Sequence, residues 1–181
     1  SSVSIADGDT AQQAVEELYR HGHRRIAALI SRPDDQSISQ LRYEGYVQAL
    51  ESHGIPVDPE LVISTGGFGA KDAYRAVQEK MAENVDFTAL FAIADSMAIG
   101  AMRALMDAGR RIPEDCSVIA IDGLELSAYI EPPLTTLCQP MEEMGRRSAE
   151  ILLDMVRHKG SHACELLPTT LRQGRSVAAP R

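Results

Sequence analysis

Two aspartates stand directly after apolar, strand-like runs: Asp95 follows residues 89–94, and Asp122 follows residues 118–121 and precedes Gly123. In open parallel sheets ligands sit outside the carboxyl ends of the strands, so both carboxylates are expected at the mouth of a small-molecule cleft. A carboxylate there accepts hydrogen bonds from hydroxyl donors, which suits sugars. Each aspartate also has a local role open to it, Asp95 as the N-cap of the next helix and Asp122 as a turn residue. For Asp95 the two roles are compatible, because one oxygen can cap while the other faces the cleft. Arg42, in Leu41-Arg42-Tyr43-Glu44-Gly45-Tyr46, follows a loop over 31–39 and lies near a helix N-terminus at the carboxyl end of another strand. Its planar fork can hold two neighbouring hydroxyls, a carboxylate or a purine edge, or it can pair with Glu44 or a neighbour as a solvated helix arginine.

Other chemistries find less support in the residues. Asp95 and Asp122 could serve as the paired carboxylates of a glycosidase, but a binding role suffices for each. Gly66-Gly67-Phe68-Gly69 lacks the dinucleotide spacing and the Lys-Ser/Thr of a phosphate loop. His21-Gly22-His23 could ligate a metal, although its place at a helix end fits a stop and dipole role better. Cys138 has no evident histidine partner, no Gly-x-Ser-x-Gly occurs, and Asp34-Asp35 reads as a solvated loop.

The elements that must position these side chains alternate. A helix begins near Asp9, an N-cap with Gln12 at the capping-box position, and carries Ala11, Ala14, Val15 and Leu18 on one face to a stop at Gly22. Strands are expected at 26–30, 61–64, 89–94 and 118–121, and helices at 38–52, 70–81 and 95–108, the last stopped by Gly109. The strands are apolar throughout, as buried parallel strands are, so the pattern predicts a doubly wound α/β sheet. After Leu137 a long helix presents Met141, Met144, Gly145, Ser148, Leu152 and Met155 on one face, ending near 158–160, and short strands follow at 164–167 and 169–172.

With 181 residues, 44% hydrophobic and 24% charged, the chain can build a sizeable core as one large domain or two small lobes. A net charge of −8 argues against this piece gripping a phosphate backbone. Cys116, Cys138 and Cys164 are odd in number with no C-x-x-C, which favours a reducing compartment. No apolar run reaches a membrane-spanning length.

The wording of 94–105, of Ser117-Val118-Ile119-Ala120-Ile121-Asp122-Gly123 and of Pro132-Pro133-Leu134-Thr135-Thr136 closely resembles the effector-binding half of lactose-repressor (LacI/GalR) family transcription regulators. The similarity runs from Asp7-Gly8 to Leu166-Leu167-Pro168. It implies a three-layer α/β/α periplasmic-binding-protein-like (type I) fold with a mostly parallel sheet and two lobes, the N-terminal one incomplete. Residues 1–7 would end the N-terminal lobe, 8–137 form the C-terminal lobe, 138–165 return a helix and strand to the N-terminal lobe, and 166–181 come back. By the same resemblance the ligand-binding residues are Arg42, Phe68, Asp95, Asp122 and Gln139, with Phe68 where a relative stacks an aromatic on a sugar ring. The family pattern has an amide beside the position of Asp95, where this chain has Ala94.

The function implied is ligand sensing without catalysis, cofactor or metal. A small-molecule effector, most simply a sugar or derivative, would bind between lobes and alter operator affinity through a helix-turn-helix domain absent from these residues. The protein would be a cytoplasmic homodimer, away from membranes, joined through 98–105 and 126–130 around Tyr129. The alternative is a periplasmic sugar-binding protein feeding a transporter. If the 138–165 helix belongs to a lobe whose first half is missing, four large side chains, Met141, Met144, Leu152 and Met155, lose their partners. At roughly 1.5–3 kcal/mol each, about 6–12 kcal/mol of burial is at stake, so the residues are expected to be part of a longer chain or to pack on a partner.

Overall fold

The computed structural model describes residues 1–31, 38–158 and 164–181; Asp34-Asp35 and most of the 31–39 loop lie outside them. The elements run β1 (Ser2–Ile5), α1 (Asp7–Arg20), β2 (Ile26–Ile30), α2 (Ile38–Ser52), β3 (Val62–Ser64), α3 (Ala70–Ala82), β4 (Ala89–Ala92), α4 (Asp95–Asp107), β5 (Ser117–Asp122), β6 (Thr135–Cys138), α5 (Met141–His158), β7 (Cys164–Leu167) and β8 (Thr170–Arg172), with 3-10 turns at Pro59–Leu61 and Glu125–Ala128. One sheet has the order β3-β2-β4-β5-β6-β8. Its neighbours are parallel except β6 and β8, which are antiparallel. A second sheet pairs β1 with β7 in parallel, and α5 lies against β1.

Every residue of β2 and β4 is buried. Successive side chains of a strand point to opposite faces, so burial at each position requires cover on both, which the helix pairs α1/α2 and α3/α4 provide. The pairs approach closely at glycines. A Cβ on Gly45 of α2 would lie 2.1 Å from the Gly8 carbonyl of α1, and one on Gly100 of α4 would lie 2.0 Å from the Ala70 carbonyl of α3. Gly22 and Gly109 stop α1 and α4 at φ +100° and +80°, as the sequence predicts.

Three local expectations change. Helix α1 begins at Asp7 after an Ala6 cap that has no side-chain hydrogen bond, so Asp9 sits inside the first turn and is not the N-cap. Strand β4 stops at Ala92, although the Ile93 N–H still donates to the Leu29 carbonyl at 3.1 Å. Of the 98–105 face expected at a dimer contact, Ala98, Ala101, Met102, Ala104 and Leu105 are buried in the monomer core, leaving Arg103 as the exposed residue.

On α5, Met141 and Leu152 are about 60% exposed, at 59% and 61%, and Leu153 and Val156 are exposed beside them. Met144 packs on the core. Strand β7 stays in the small sheet to Leu167, and the chain joins the large sheet at β8. No helix among the described residues is long and apolar enough to cross a membrane.

Candidate functional site

The carboxyl ends of the parallel strands carry the site. Arg42 is on the first turns of α2, and its side chain is only 4% exposed. Its Nε donates to Asp7 Oδ1 at 2.8 Å, and its Nη1 donates to Asp122 Oδ1 at 3.2 Å and to the Ile93 carbonyl. Gln139 Nε2 donates to the same Asp122 oxygen at 2.7 Å. Arg42 of α2, Asp122 of β5 and Gln139 just past β6 are thus one hydrogen-bonded group. Arg42 pairs across the fold and not with Glu44, which instead accepts from Gln40.

Asp122 departs from ordinary backbone geometry, with φ +135°, and Gly123 follows at +78°. A non-glycine residue held there costs roughly 1–3 kcal/mol, a kind of strain that clusters at ligand sites. The Gln139 N–H donates to the Asp122 carbonyl at 3.0 Å and fixes the turn. A Cβ on Gly123 would meet Cys138 Sγ at 2.5 Å, so the turn and the end of β6 are in direct contact. The second carboxylate oxygen of Asp122 and Arg42 Nη2 make no hydrogen bond among the described residues, and the Asp122 side chain is 19% exposed. Among the described residues an acceptor and a donor are therefore both left without a partner where the strands end.

Asp95 is placed otherwise than expected. It opens α4 after Ala94, caps nothing with its side chain, and is 0% exposed. Oδ1 accepts from the Thr136 hydroxyl at 2.6 Å, while Oδ2 accepts from the Ser127 hydroxyl at 2.7 Å and the Leu124 N–H at 2.8 Å. Neither oxygen is exposed. Burial raises its pKa above the ordinary carboxylate value, hydrogen bonds from Thr136, Ser127 and Leu124 oppose the rise, and the charge of Asp122 adds to it. Asp95 therefore braces the turn that follows Asp122.

Phe68 is 41% exposed in the loop between β3 and α3, and its carbonyl accepts from the Ser96 hydroxyl at 2.7 Å. That bond ties the loop to the start of α4, at the same end of the sheet.

Two charged residues of this region escaped the sequence reading. Asp7 stands just past a short strand, an acid after a strand as in the pattern that singled out Asp95 and Asp122. Arg172 of β8 donates through its terminal nitrogens to the carbonyls of Gly123 and Leu124 and to Ser127, 4.0 Å from Asp95. Nothing local in Thr170-Leu171-Arg172 marks that role, because it depends on β8 pairing with β6.

His21 Nδ1 bonds the Glu17 carbonyl at the end of α1, in keeping with a stop. His23 is buried and bonded to Thr88, Ser117 and the Ala178 carbonyl, a core position unlike the helix-end role expected of it. Burial holds its pKa below 6.5, against the hydrogen bond with Ala178, with smaller contributions from the nearby positive charges. No metal-binding group of three histidine, cysteine or acidic residues forms among the described residues. Cys116, Cys138 and Cys164 are free thiols.

Residues 15–177 match the model of the periplasmic binding protein-like domain. The HTH-type transcriptional repressor CytR of Escherichia coli K12 is 38% identical over 172 residues, covering 92% of this chain and 50% of that protein. The HTH-type transcriptional regulator CelR of Thermobifida fusca is 35% identical over 170 residues, covering 94% of this chain and 49% of that protein. Among solved structures, a transcriptional regulator CelR–cellobiose complex superposes with a TM-score of 0.89 at 34% identity, over 97% of this chain and 53% of that one. The chain spans about half the length of the relatives it matches. These relatives are transcription regulators and not enzymes, in agreement with the resemblance to the lactose-repressor type. A three-layer sheet of this topology, matched over nearly its whole length, makes the chain a member of the periplasmic binding protein-like domain family.

Proposed function

We propose that the chain is the effector-sensing and dimerising domain of a LacI-type transcription regulator. The observation that carries this is the joined group Arg42–Asp122–Gln139 at the strand ends, with a donor and an acceptor unused among the described residues. Such a pair suits neighbouring hydroxyls, each of which donates and accepts, and so supports a sugar or sugar derivative as effector. The cellobiose named for a similar structure is of that class. Phe68 would close one wall. Asp95 supports the site from beneath, through the turn that it braces.

The lobe assignment follows the same reading: the large sheet is the C-terminal lobe, and β1, α5 and β7 belong to an N-terminal lobe whose remainder would cover the exposed side chains of α5. Effector binding would favour one lobe arrangement over the other, and only that difference can alter operator affinity. Operator contact falls to a helix-turn-helix domain outside these residues, consistent with the relatives' names and length. Leu124, Leu126 and Tyr129, 38%, 64% and 77% exposed, supply an apolar patch for a homodimer. Three free thiols, Cys164 exposed among them, suit a reducing cytoplasm. The relatives, being transcription regulators, weigh against the transporter alternative.

A thermal-shift panel of sugars, sugar phosphates, nucleosides and purines on the full-length protein tests the reading. One class should stabilise it in a concentration-dependent way, and Arg42→Ala and Asp122→Ala should each abolish the shift. A flat panel, or a shift that survives both substitutions, would count against it.

A further inference from the structure

We propose that Asp7 is a positioning residue of this site: through Arg42 Nε it sets the direction in which Arg42 presents its free terminal nitrogen. The proposal rests on the ligand-sensing reading above and adds to it a residue and a linkage.

The guanidinium is a rigid plane, so two fixed nitrogens determine where the third points. Nε is held by Asp7 at 2.8 Å, and Nη1 by the Ile93 carbonyl and Asp122. With Asp7 removed, every remaining anchor would act through Nη1, and the plane could turn about that single nitrogen. Asp7 has a local alternative as a first-turn acid of α1, where a negative charge is favourable. Yet its carboxylate caps no N–H of the helix; it reaches 35 residues along the chain to Arg42 instead, and its side chain is 10% exposed. An ion pair so shielded is screened far less than the surface pairs on α5.

The placement of Asp7 gives the pair a second consequence. It is the first residue of the large-sheet unit after β1, which belongs to the small sheet. Gln139 lies just beyond β6, on the second connection between the two sheets, and reaches the same guanidinium through Asp122. Two connections between the sheets thus converge on Arg42, so the orientation offered to a ligand depends on how both are held.

The test uses the full-length protein with 15N labelling. The Arg42 Nε–H resonance, assigned by its loss in Arg42→Lys, should be protected from exchange in the wild type. Asp7→Asn, whose neutral amide accepts more weakly, should speed its exchange in a variant that still melts cooperatively at a lower temperature, and Asp7→Glu should restore protection. A resonance equally protected in Asp7→Asn would overturn the proposal. Cellobiose, ribose and uridine then serve as ligand probes. Any that binds the wild type should lose roughly tenfold or more in affinity in Asp7→Asn and regain part in Asp7→Glu, whereas equal affinity would overturn the positioning role. Should none of these bind, the ligand reading loses support, while the resonance still decides whether Asp7 orients Arg42.

Discussion

Asp95 and Asp122 end neighbouring runs of the same sheet, yet their surroundings give them different work. Asp95 has no exposed surface and three hydrogen-bond donors; Asp122 is partly exposed and has one oxygen without a partner among the described residues. Truncating Asp95 leaves the Leu124 N–H and two hydroxyls without their acceptor, so Asp95→Ala should destabilise by roughly 1–3 kcal/mol in urea unfolding. Asp122→Ala should abolish ligand binding while stability stays closer to that of the wild type. Equal loss of stability in the two variants would contradict the division of roles. His23 sets a pH dependence. Its folded pKa lies below 6.5, so its contribution to stability is complete above that value and is lost as pH falls through the lowered one. The urea midpoint should therefore decline on acidification below pH 6.5, and His23→Gln should be less stable at neutral pH with a flatter decline.

At the scale of elements, periodicity was sufficient for most of the fold. The helix face of α1, the bounds of β2 and α2, and the stops at Gly22 and Gly109 were legible because each depends on local pattern. The position of Arg42 and Asp122 at the carboxyl ends of the strands was legible for a related reason, since each stands beside an apolar run, but the same pattern at Asp95 marks a buried brace. What was not legible depended on long-range pairing. The burial of Asp95 needs Ser127 and Thr136, from the turn after β5 and from β6; the part of Arg172 needs the antiparallel return of β8; and the burial of α4 hides a face that looked available for a partner. The α3/α4 contact shows how an element positions the site. Gly100→Ala would force α3 from α4, displacing the start of the helix that follows the Phe68 loop. A destabilisation of about 1–3 kcal/mol is expected from such overpacking, with weaker ligand binding in the folded fraction. Unchanged stability would mean that the two helices separate at little cost.

For the whole molecule, the proposed ligand site at the carboxyl ends of the strands is followed in the chain by an apolar patch that begins two residues after Asp122. Light scattering of the full-length protein should report a dimer, and Tyr129→Asp, which puts a charge at the most exposed residue of the patch, should give monomers. An unchanged mass would move the dimer contact elsewhere. The central claim is that the Arg42–Asp122–Gln139 group receives the effector. Calorimetric titration of the best-stabilising compound into the full-length wild type and into Asp122→Ala tests this most directly. The expected result is saturable binding at one site per chain in the wild type and no measurable heat in the variant. Equal affinity in both would place the effector elsewhere and contradict the account.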